Sequence, residues 1–270
     1  MDTQISYSKW REHHRSILER LSNSDVFLLF SGGKDSSLCL HLMLEASQEF
    51  GFDLEAHAGA FPVHRYTDTE RRRLGDYWEH RGVRVIWHTI EETDDGVENA
   101  PNPCLFCQKV RKKMLHTILS QSVENWEKLV LVPSYSLWDI ASYAVEHLLG
   151  DVFSNGKDVG EERSKRFIET AQRFYPFASM KEGYSIFRPL VKYNGNDIVR
   201  AVKKQGIPFL SIPCKFKDYR PKRILERYYE KMALCFEYQQ VLDFARRSLN
   251  LPDISSYDNI EKEEYFKNIF

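Results

Sequence analysis

Short runs of consecutive apolar residues recur along the first half of the chain, with segments of helical periodicity between them. The runs cover 26–30, 56–61, 83–89 and 129–132. The helical segments cover 36–47, 67–80, 104–120 and 138–149, and Thr67 stands three residues before Glu70 as a helix cap does. A run without polar alternation fits a strand that is covered on both faces, as in a parallel sheet. The pattern predicts a doubly wound, mostly parallel α/β sheet, whose ligands bind at the carboxyl ends of the strands.

The pattern changes in the second half of the chain. Residues 151–162 are rich in Gly, Asp and Glu, which predicts a mobile insertion or a lid. A helical pattern returns over 221–250, where Pro221 suits a first helical turn and Pro252 lies just beyond the end. The apolar positions of this single predicted stripe are Ile224, Leu225, Tyr228, Met232, Cys235, Phe236, Val241 and Phe244. We therefore expect a nucleotide-binding domain over 1–215, with a preceding N-terminal helix, and a C-terminal helical extension over 216–270.

Composition and charge limit the function classes. A chain of 270 residues with 42% hydrophobic residues can bury a sizeable core, which excludes disorder as its main property. No apolar stretch approaches the roughly 20 residues that span a bilayer, and the N-terminus lacks the apolar centre of a signal peptide. We expect a cytoplasmic protein with no membrane partner. The net charge is -1, yet residues 200–227 hold nine Lys or Arg against two acids, so this stretch is either a solvated face or a nucleic-acid contact.

The first apolar run ends abruptly in the sequence SGGKDSS, residues 31–37. A strand that turns at once into a helix through glycines exposes backbone N–H groups at the helix N-terminus, where an anion can come close. Lys34 adds a positive charge, and three serines add hydroxyl donors. The spacing differs from the Walker pattern. The break predicts a phosphate-binding loop made by Ser31, Gly32, Gly33, Lys34, Ser36 and Ser37.

Three of the five cysteines stand in sequence that favours metal or redox chemistry. Cys104 and Cys107 form a CxxC pair that opens a basic helix, and Cys214 follows Pro213. A single CxxC pair is compatible with zinc, with a redox dithiol or with a cluster. No further Cys or His stands at short spacing from these sites, so three thiolates would leave one coordination position open. Cys39 and Cys235 lie in apolar sequence, and we expect both to be buried.

These motifs resemble the PP-loop ATP pyrophosphatases. SGGKDSS matches the SGGxDS loop of that family in sequence and in its position after the first strand. The loop is followed by a PxxCxxCxxxR motif that starts at Pro101, then by RPL at Arg188 and by IPC ending at Cys214. This order is similar to that of the iron–sulfur tRNA thiolation branch of the family, which includes 2-thiocytidine synthetase. The similarity covers roughly residues 25 to 230.

The resemblance implies an ATP-dependent sulfurtransferase that adenylylates a substrate oxygen and replaces it with sulfur. It implies catalytic roles for Asp35 and Asp139, with Asp35 orienting the loop or holding Mg²⁺. It also implies that Cys104, Cys107 and Cys214 ligate a 4Fe-4S cluster, for which soft thiolates are suited. The implied partners are tRNA or another nucleic acid and a sulfur donor, and the protein could form a homodimer.

One motif departs from the family pattern. The family carries a strand that ends in GHxxDD, whereas residues 134–139 read SYSLWD, so that Tyr135 and Trp138 replace the histidine and the first acid. Only the second acid, Asp139, remains. The departure leaves two alternatives open, a PP-loop enzyme that acts on a small metabolite and a non-catalytic nucleotide-binding regulator. Turnover of ATP to AMP and pyrophosphate would separate the enzymes from the regulator.

Overall fold

The protein is built on one twisted sheet that is mostly parallel. The computed structural model describes residues 5–60, 66–89, 94–153, 171–181, 183–210, 214, 216, 221–259 and 261. The strands in this part of the chain are β1 (Asp25–Leu29), β2 (Asp53–Ala60), β3 (Val85–Thr89), β4 (Leu129–Val132), β5 (Phe177–Ser179) and β6 (Ser185–Phe187). Their order in the sheet is β3-β2-β1-β4-β6-β5, and all neighbours are parallel except β5 and β6. The predicted doubly wound α/β class is confirmed.

Four helices match the predicted segments, three with longer ends and α3 one residue shorter at each end, whereas α4 and α7 were not predicted. They are α1 (Tyr7–Leu18), α2 (Lys34–Phe50), α3 (Asp68–Glu79), α4 (Asp94–Glu98), α5 (Pro103–Ser122), α6 (Leu137–Phe153), α7 (Gly195–Lys204), α8 (Pro221–Lys231) and α9 (Tyr238–Ser248). The predicted cap of α3 is present as a capping box, because Thr67 Oγ1 accepts from the Glu70 N–H and Glu70 Oε2 accepts from the Thr67 N–H. Residues 154–162 of the predicted insertion lie outside the described residues. Within the described chain, no helix combines the length and the apolar character needed to cross a membrane.

The sheet is buried on both faces, as its apolar strands require. Val26 and Leu28 of β1 join the core beneath α1, α2, α3 and α7, whereas Phe27 joins the core beneath α5, α6 and α9. Neighbouring β4 alternates in the same way, with Val130 on the first face and Leu131 on the second. A strand with apolar residues on both sides is therefore stable only between two helical layers.

The carboxyl edge of the sheet collects the candidate functional segments. The loop 31–37 follows β1, and residues 133–136 follow β4, which is directly paired with β1. Helix α5 connects the parallel strands β3 and β4, so it must return from the carboxyl edge to the opposite edge. Its N-terminus, with Cys104 and Cys107, therefore starts on the same side as the loop.

The predicted single helix over 221–250 is wrong, because the chain breaks between α8 and α9. Helix α8 ends in a Schellman motif, in which the Leu234 N–H donates to Tyr229 O and the Ala233 N–H donates to Glu230 O. Ala233 has a φ of 49°, in the left-handed region. Glycine is the usual residue at this position, so the alanine gave no stop signal in the sequence. Four residues of the predicted apolar stripe are exposed, namely Ile224, Tyr228, Met232 and Phe244.

The C-terminal helices bury apolar residues against the first 215 residues. Tyr229 of α8 packs with Trp138 and Ala141 of α6, and Leu242 and Ala245 of α9 join the core on the second face of the sheet. The domain boundary near residue 215 stays a prediction.

Candidate functional site

One position of the polar loop 31–37 has a backbone conformation that favours glycine. Gly32 has a φ of 69°, and a Cβ atom there would lie 3.3 Å from Leu210 Cδ1 and 3.4 Å from Leu74 Cδ2. Both the conformation and the space therefore favour glycine. Gly33 is the residue before the first turn of α2, so the N–H groups of that turn point out of the helix at the carboxyl edge of the sheet.

The serines of the loop have different surroundings. The buried Ser36 hydroxyl accepts from the Ser31 N–H at 3.2 Å and donates to Gly33 O at 3.1 Å. Ser36 Oγ also lies 3.0 Å from Ser31 Oγ, which is exposed. The Ser37 hydroxyl is buried and has no hydrogen-bond partner among the described residues. Ser36 therefore holds the shape of the loop, whereas the Ser31 hydroxyl lies at the surface.

The charges of the loop form one close pair. Lys34 Nζ lies 2.6 Å from Asp35 Oδ1, and each side chain is about 30% exposed. Asp35 lies in the first turn of α2, where the helix dipole favours a negative charge. The structure thus places both predicted residues at the same helix N-terminus.

Two contacts with distant segments hold the loop, and sequence analysis missed both. The hydroxyl of Tyr66, which precedes the cap of α3, donates a short hydrogen bond to Ser31 O, and the Tyr66 ring packs on Trp87 at 5.4 Å between centroids. The Leu210 N–H donates to Gly32 O at 2.7 Å. Neither residue carries a sequence signal that could have identified it.

Asp139 is buried in the first turn of α6. Its Oδ2 atom accepts from the Ser136 N–H at 2.8 Å and from the Ser136 hydroxyl at 2.6 Å. Its Oδ1 atom forms a close ion pair with Lys222 Nζ from α8. Asp139 therefore caps α6 and neutralises a lysine of the C-terminal extension at the same time.

Tyr135 lies among cationic side chains between β4 and α6. The Arg173 guanidinium lies 5.6 Å from the Tyr135 ring centroid and 5.0 Å from that of Tyr143. Burial raises the pKa of the Tyr135 phenol, but the positive charges of Arg173, Arg188 and Lys222 and a hydrogen bond with Tyr143 outweigh it, so the net shift is downward. The position that carries histidine in the family pattern thus holds a phenol that loses its proton more easily than usual.

Arg188, the arginine of the RPL motif, is buried just after β6. It donates to Tyr175 O at 3.0 Å and to the side chain of Gln172. These bonds fix the guanidinium in the wall of the site. The arginine therefore contributes positive charge to the carboxyl edge of the sheet.

The structure brings the CxxC helix close to the segment that carries Cys214. The Cys104 thiol lies 3.5 Å from Phe216 O, and Phe216 stands two residues after Cys214. Cys107 and Phe216 pack in one small apolar cluster around Val97. The described residues contain no group of three or more His, Cys, Asp or Glu side chains arranged to hold a metal ion, and ligation by the three predicted cysteines stays a prediction.

The two other cysteines differ from each other. Cys39 is fully buried, as expected, and burial raises the pKa of its thiol. Cys235 is exposed, so the expectation that it is buried is wrong. The reason is the break between α8 and α9, which places Cys235 in the connection and not on a helix face.

Part of the basic stretch 200–227 does not form a solvated face. Arg223 is exposed, but the Lys222 side chain is only 20% exposed and pairs with Asp139. Lys215, Lys217 and Arg220 lie outside the described residues. Charge counting along the sequence could not distinguish a lysine that enters the site from its exposed neighbours.

Comparison with known proteins agrees with the motifs. No family model matches the chain. The chain is 24% identical over 246 residues to a probable sulfurtransferase of Methanocaldococcus jannaschii, an alignment that covers 80% of this chain and 70% of the relative. Its structure is similar to that of the U34-tRNA thiolase NcsA from Methanococcus maripaludis, which was solved with its 4Fe-4S cluster. The TM-score is 0.64 at 16% identity, covering 97% of this chain and 92% of the thiolase. The chain therefore shares the fold of this tRNA thiolase, and its motifs resemble those of the iron–sulfur tRNA thiolation branch of the PP-loop ATP pyrophosphatases.

Proposed function

We propose that the protein is an ATP-dependent sulfurtransferase that activates an oxygen of a tRNA base by adenylylation and replaces it with sulfur. In this proposal the loop 31–37 binds the pyrophosphate part of ATP. Asp35 and Asp139 are the catalytic acids, and Cys104, Cys107 and Cys214 hold a 4Fe-4S cluster. The probable sulfurtransferase and the tRNA thiolase to which the chain is similar support this class of reaction.

The proposal rests mainly on the contacts that Leu210, Phe216 and Lys222 make. Leu210 is hydrogen-bonded to the loop at Gly32, Phe216 touches Cys104, and Lys222 pairs with Asp139. Three described residues from this part of the chain thus contact the anion loop, the CxxC helix and the remaining acid of the SYSLWD motif. A sulfur transfer to an activated base requires these three parts at one place, because the activated substrate must meet the sulfur source.

The residues of the loop suit a triphosphate. The helix N-terminus offers N–H groups, Lys34 offers an ammonium, and Gly32 keeps side-chain atoms away from the phosphates. Mg²⁺ bound to the phosphates would neutralise part of their charge, and Asp35 is the acid at the loop that could hold it. Lys34 would exchange its contact with Asp35 for a phosphate oxygen.

The cysteines suit an iron–sulfur cluster by their chemistry and their placement. Cys104 and Cys107 stand one turn apart at the start of α5, the backbone beyond Cys214 touches Cys104, and all three cysteines are partly buried. Three thiolates from two adjoining segments fit a cluster that keeps one iron open. When bound, such a cluster would supply sulfur to the activated base.

The test is reconstitution under anaerobic conditions. Purified protein with iron and sulfide would be incubated with ATP, Mg²⁺ and tRNA from cells that lack this protein. We expect AMP formation that depends on tRNA and a new thiolated nucleoside by mass spectrometry. Cys104→Ala should abolish thiolation and lower bound iron from about four per chain, whereas Cys235→Ala, at an exposed position, is the matched control. Stoichiometric zinc without iron would contradict the cluster.

The non-catalytic alternative is favoured by the loss of free acids at the SYSLWD motif. Lys222 neutralises Asp139, and Trp138 stands where the family pattern has its first acid. The same assay decides between the two. Binding of ATP without any AMP or pyrophosphate, in the presence of tRNA and sulfide, would favour the regulator. AMP formation without tRNA dependence would favour a small-metabolite substrate.

A further inference from the structure

The C-terminal helix α8 places a lysine ammonium inside the candidate nucleotide site. Lys222 is the second residue of α8, and its side chain is only 20% exposed. Its Nζ atom pairs with Asp139 and lies 3.7 Å from Glu226 Oε1. Because it faces α6 and not solvent, this lysine differs from its neighbour Arg223, which is more than half exposed.

The charges around Lys222 come from three elements. Asp139 lies on α6, Glu226 on α8 itself and Asp35 in the first turn of α2, and Tyr135 and the cationic Arg223 also act on it. Burial lowers the pKa of Lys222, whereas Glu226, Asp35 and Tyr135 counteract that shift. Strand β4, which leads into α6 and Asp139, is paired with β1, which leads into the anion loop, so the ammonium lies at the same carboxyl edge of the sheet as the loop.

We propose that Lys222 is a phosphate-binding residue of the ATP site, contributed by the C-terminal helical extension. The inference rests on the proposed function, since it takes ATP as the ligand of the loop. When the triphosphate enters between the loop and α6, its negative charge would stand beside Asp35 and Asp139. Lys222 would turn one or more of its three N–H donors from Asp139 to a phosphate oxygen, a charge-assisted hydrogen bond.

The geometry favours this role over a purely structural ion pair. Asp139 already receives two hydrogen bonds from Ser136 on Oδ2, so its capping of α6 does not depend on Lys222. The Lys222 ammonium contacts Asp139 and lies near Glu226, so two carboxylates hold it at the carboxyl edge of the sheet where the anion loop lies. The nucleotide site would then be complete only when α8 is docked on α6.

Calorimetric titration with a non-hydrolysable ATP analogue and Mg²⁺ tests the proposal. Lys222→Met should lower the affinity by about 10-fold to 100-fold, the range of a hydrogen bond to a charged group. Lys231→Met is the control, because Lys231 lies at the exposed end of the same helix. Circular dichroism would verify that both variants are folded. Unchanged affinity in Lys222→Met would overturn the proposal.

A double variant separates phosphate binding from a structural role. If Lys222 only neutralises the buried carboxylate, the double variant of Lys222→Met and Asp139→Asn should bind the analogue as tightly as Asp139→Asn alone, because no uncompensated charge remains. If Lys222 binds phosphate, the double variant should bind about 10-fold to 100-fold more weakly than Asp139→Asn alone, and equal affinity would refute the proposal. A wild-type protein that binds no ATP analogue at all, with Lys34→Ala equally inert, would instead reject the proposed function itself.

Discussion

Gly195, the first residue of α7, is the position where adding one methyl group should have the clearest effect on this fold. A Cβ atom there would lie 2.4 Å from Trp138 Cε3, 2.8 Å from Cζ3 and 2.9 Å from Cδ2. Favourable contacts between carbon atoms lie at about 3.5–4.0 Å, so the indole ring would have to move by about 1 Å. Trp138 is only 5% exposed and packs against Tyr229 at 5.8 Å, so the ring has little room to move.

The expected cost of Gly195→Ala follows from these contacts. Overpacking of a well-packed core costs about 1–3 kcal/mol, whereas replacing glycine in a helix by alanine gains at most about 1 kcal/mol. We therefore expect the free energy of unfolding to fall by about 1–2 kcal/mol, and the melting temperature to fall by about 2–8 °C. Because Trp138 precedes Asp139, the shift should also weaken the binding of an ATP analogue.

Urea denaturation followed by circular dichroism measures the change. Gly75→Ala is the matched control, since Gly75 lies inside α3 and a Cβ atom there would meet only Trp87 Nε1 at 3.9 Å. This variant should gain about 0.5–1 kcal/mol. In a Trp138→Leu background, Gly195→Ala should cost less than in the wild type, because the ring is absent. A Gly195→Ala protein at least as stable as the wild type would refute the reasoning.

Three further predictions concern single residues. Burial lowers the pKa of His14 to about 3. At pH 5 the His14 side chain is therefore protonated in the unfolded chain but not in the folded protein, which favours unfolding. When the pH falls from 7 to 5, the free energy of unfolding should decrease by about 2 kcal/mol more in the wild type than in His14→Phe, as measured by urea titrations. Equal pH dependence would contradict this assignment. Ala233→Gly should raise the midpoint of urea denaturation, by up to about 1 kcal/mol in free energy, because it relieves the left-handed conformation, and a lower midpoint would argue against the strain. Ser136→Ala should cost about 0.5–2 kcal/mol by the same measurement, because it removes the hydroxyl that donates to Asp139, and a neutral change would show that the cap is dispensable.

Several parts of the fold and of the site could be predicted from the sequence because their causes are local. Apolar runs without alternation predicted β4 with its observed bounds and β1 within one residue. The glycines of SGGKDSS predicted the turn into α2, since the left-handed φ of Gly32 is a property of the residue itself. The capping box of α3 depends on two residues in one turn. The order of the motifs also predicted the fold that the tRNA thiolase shares.

The sequence alone therefore determined the first four strands, the anion loop and the residue types available for chemistry, because each depends on neighbours within a few positions, whereas the short strands β5 and β6 were not predicted. Only the tertiary structure decided which distant groups surround the loop. The contacts of Tyr66 with Ser31, of Leu210 with Gly32 and of Lys222 with Asp139 join segments far apart in the chain. Such contacts depend on how the whole sheet and its two helical layers pack. The hydrophobic periodicity of a sequence identifies helices and strands, but it does not identify which distant residues come into contact. For the same reason, Lys222 could not be distinguished from the exposed cations beside it until α8 was placed against α6.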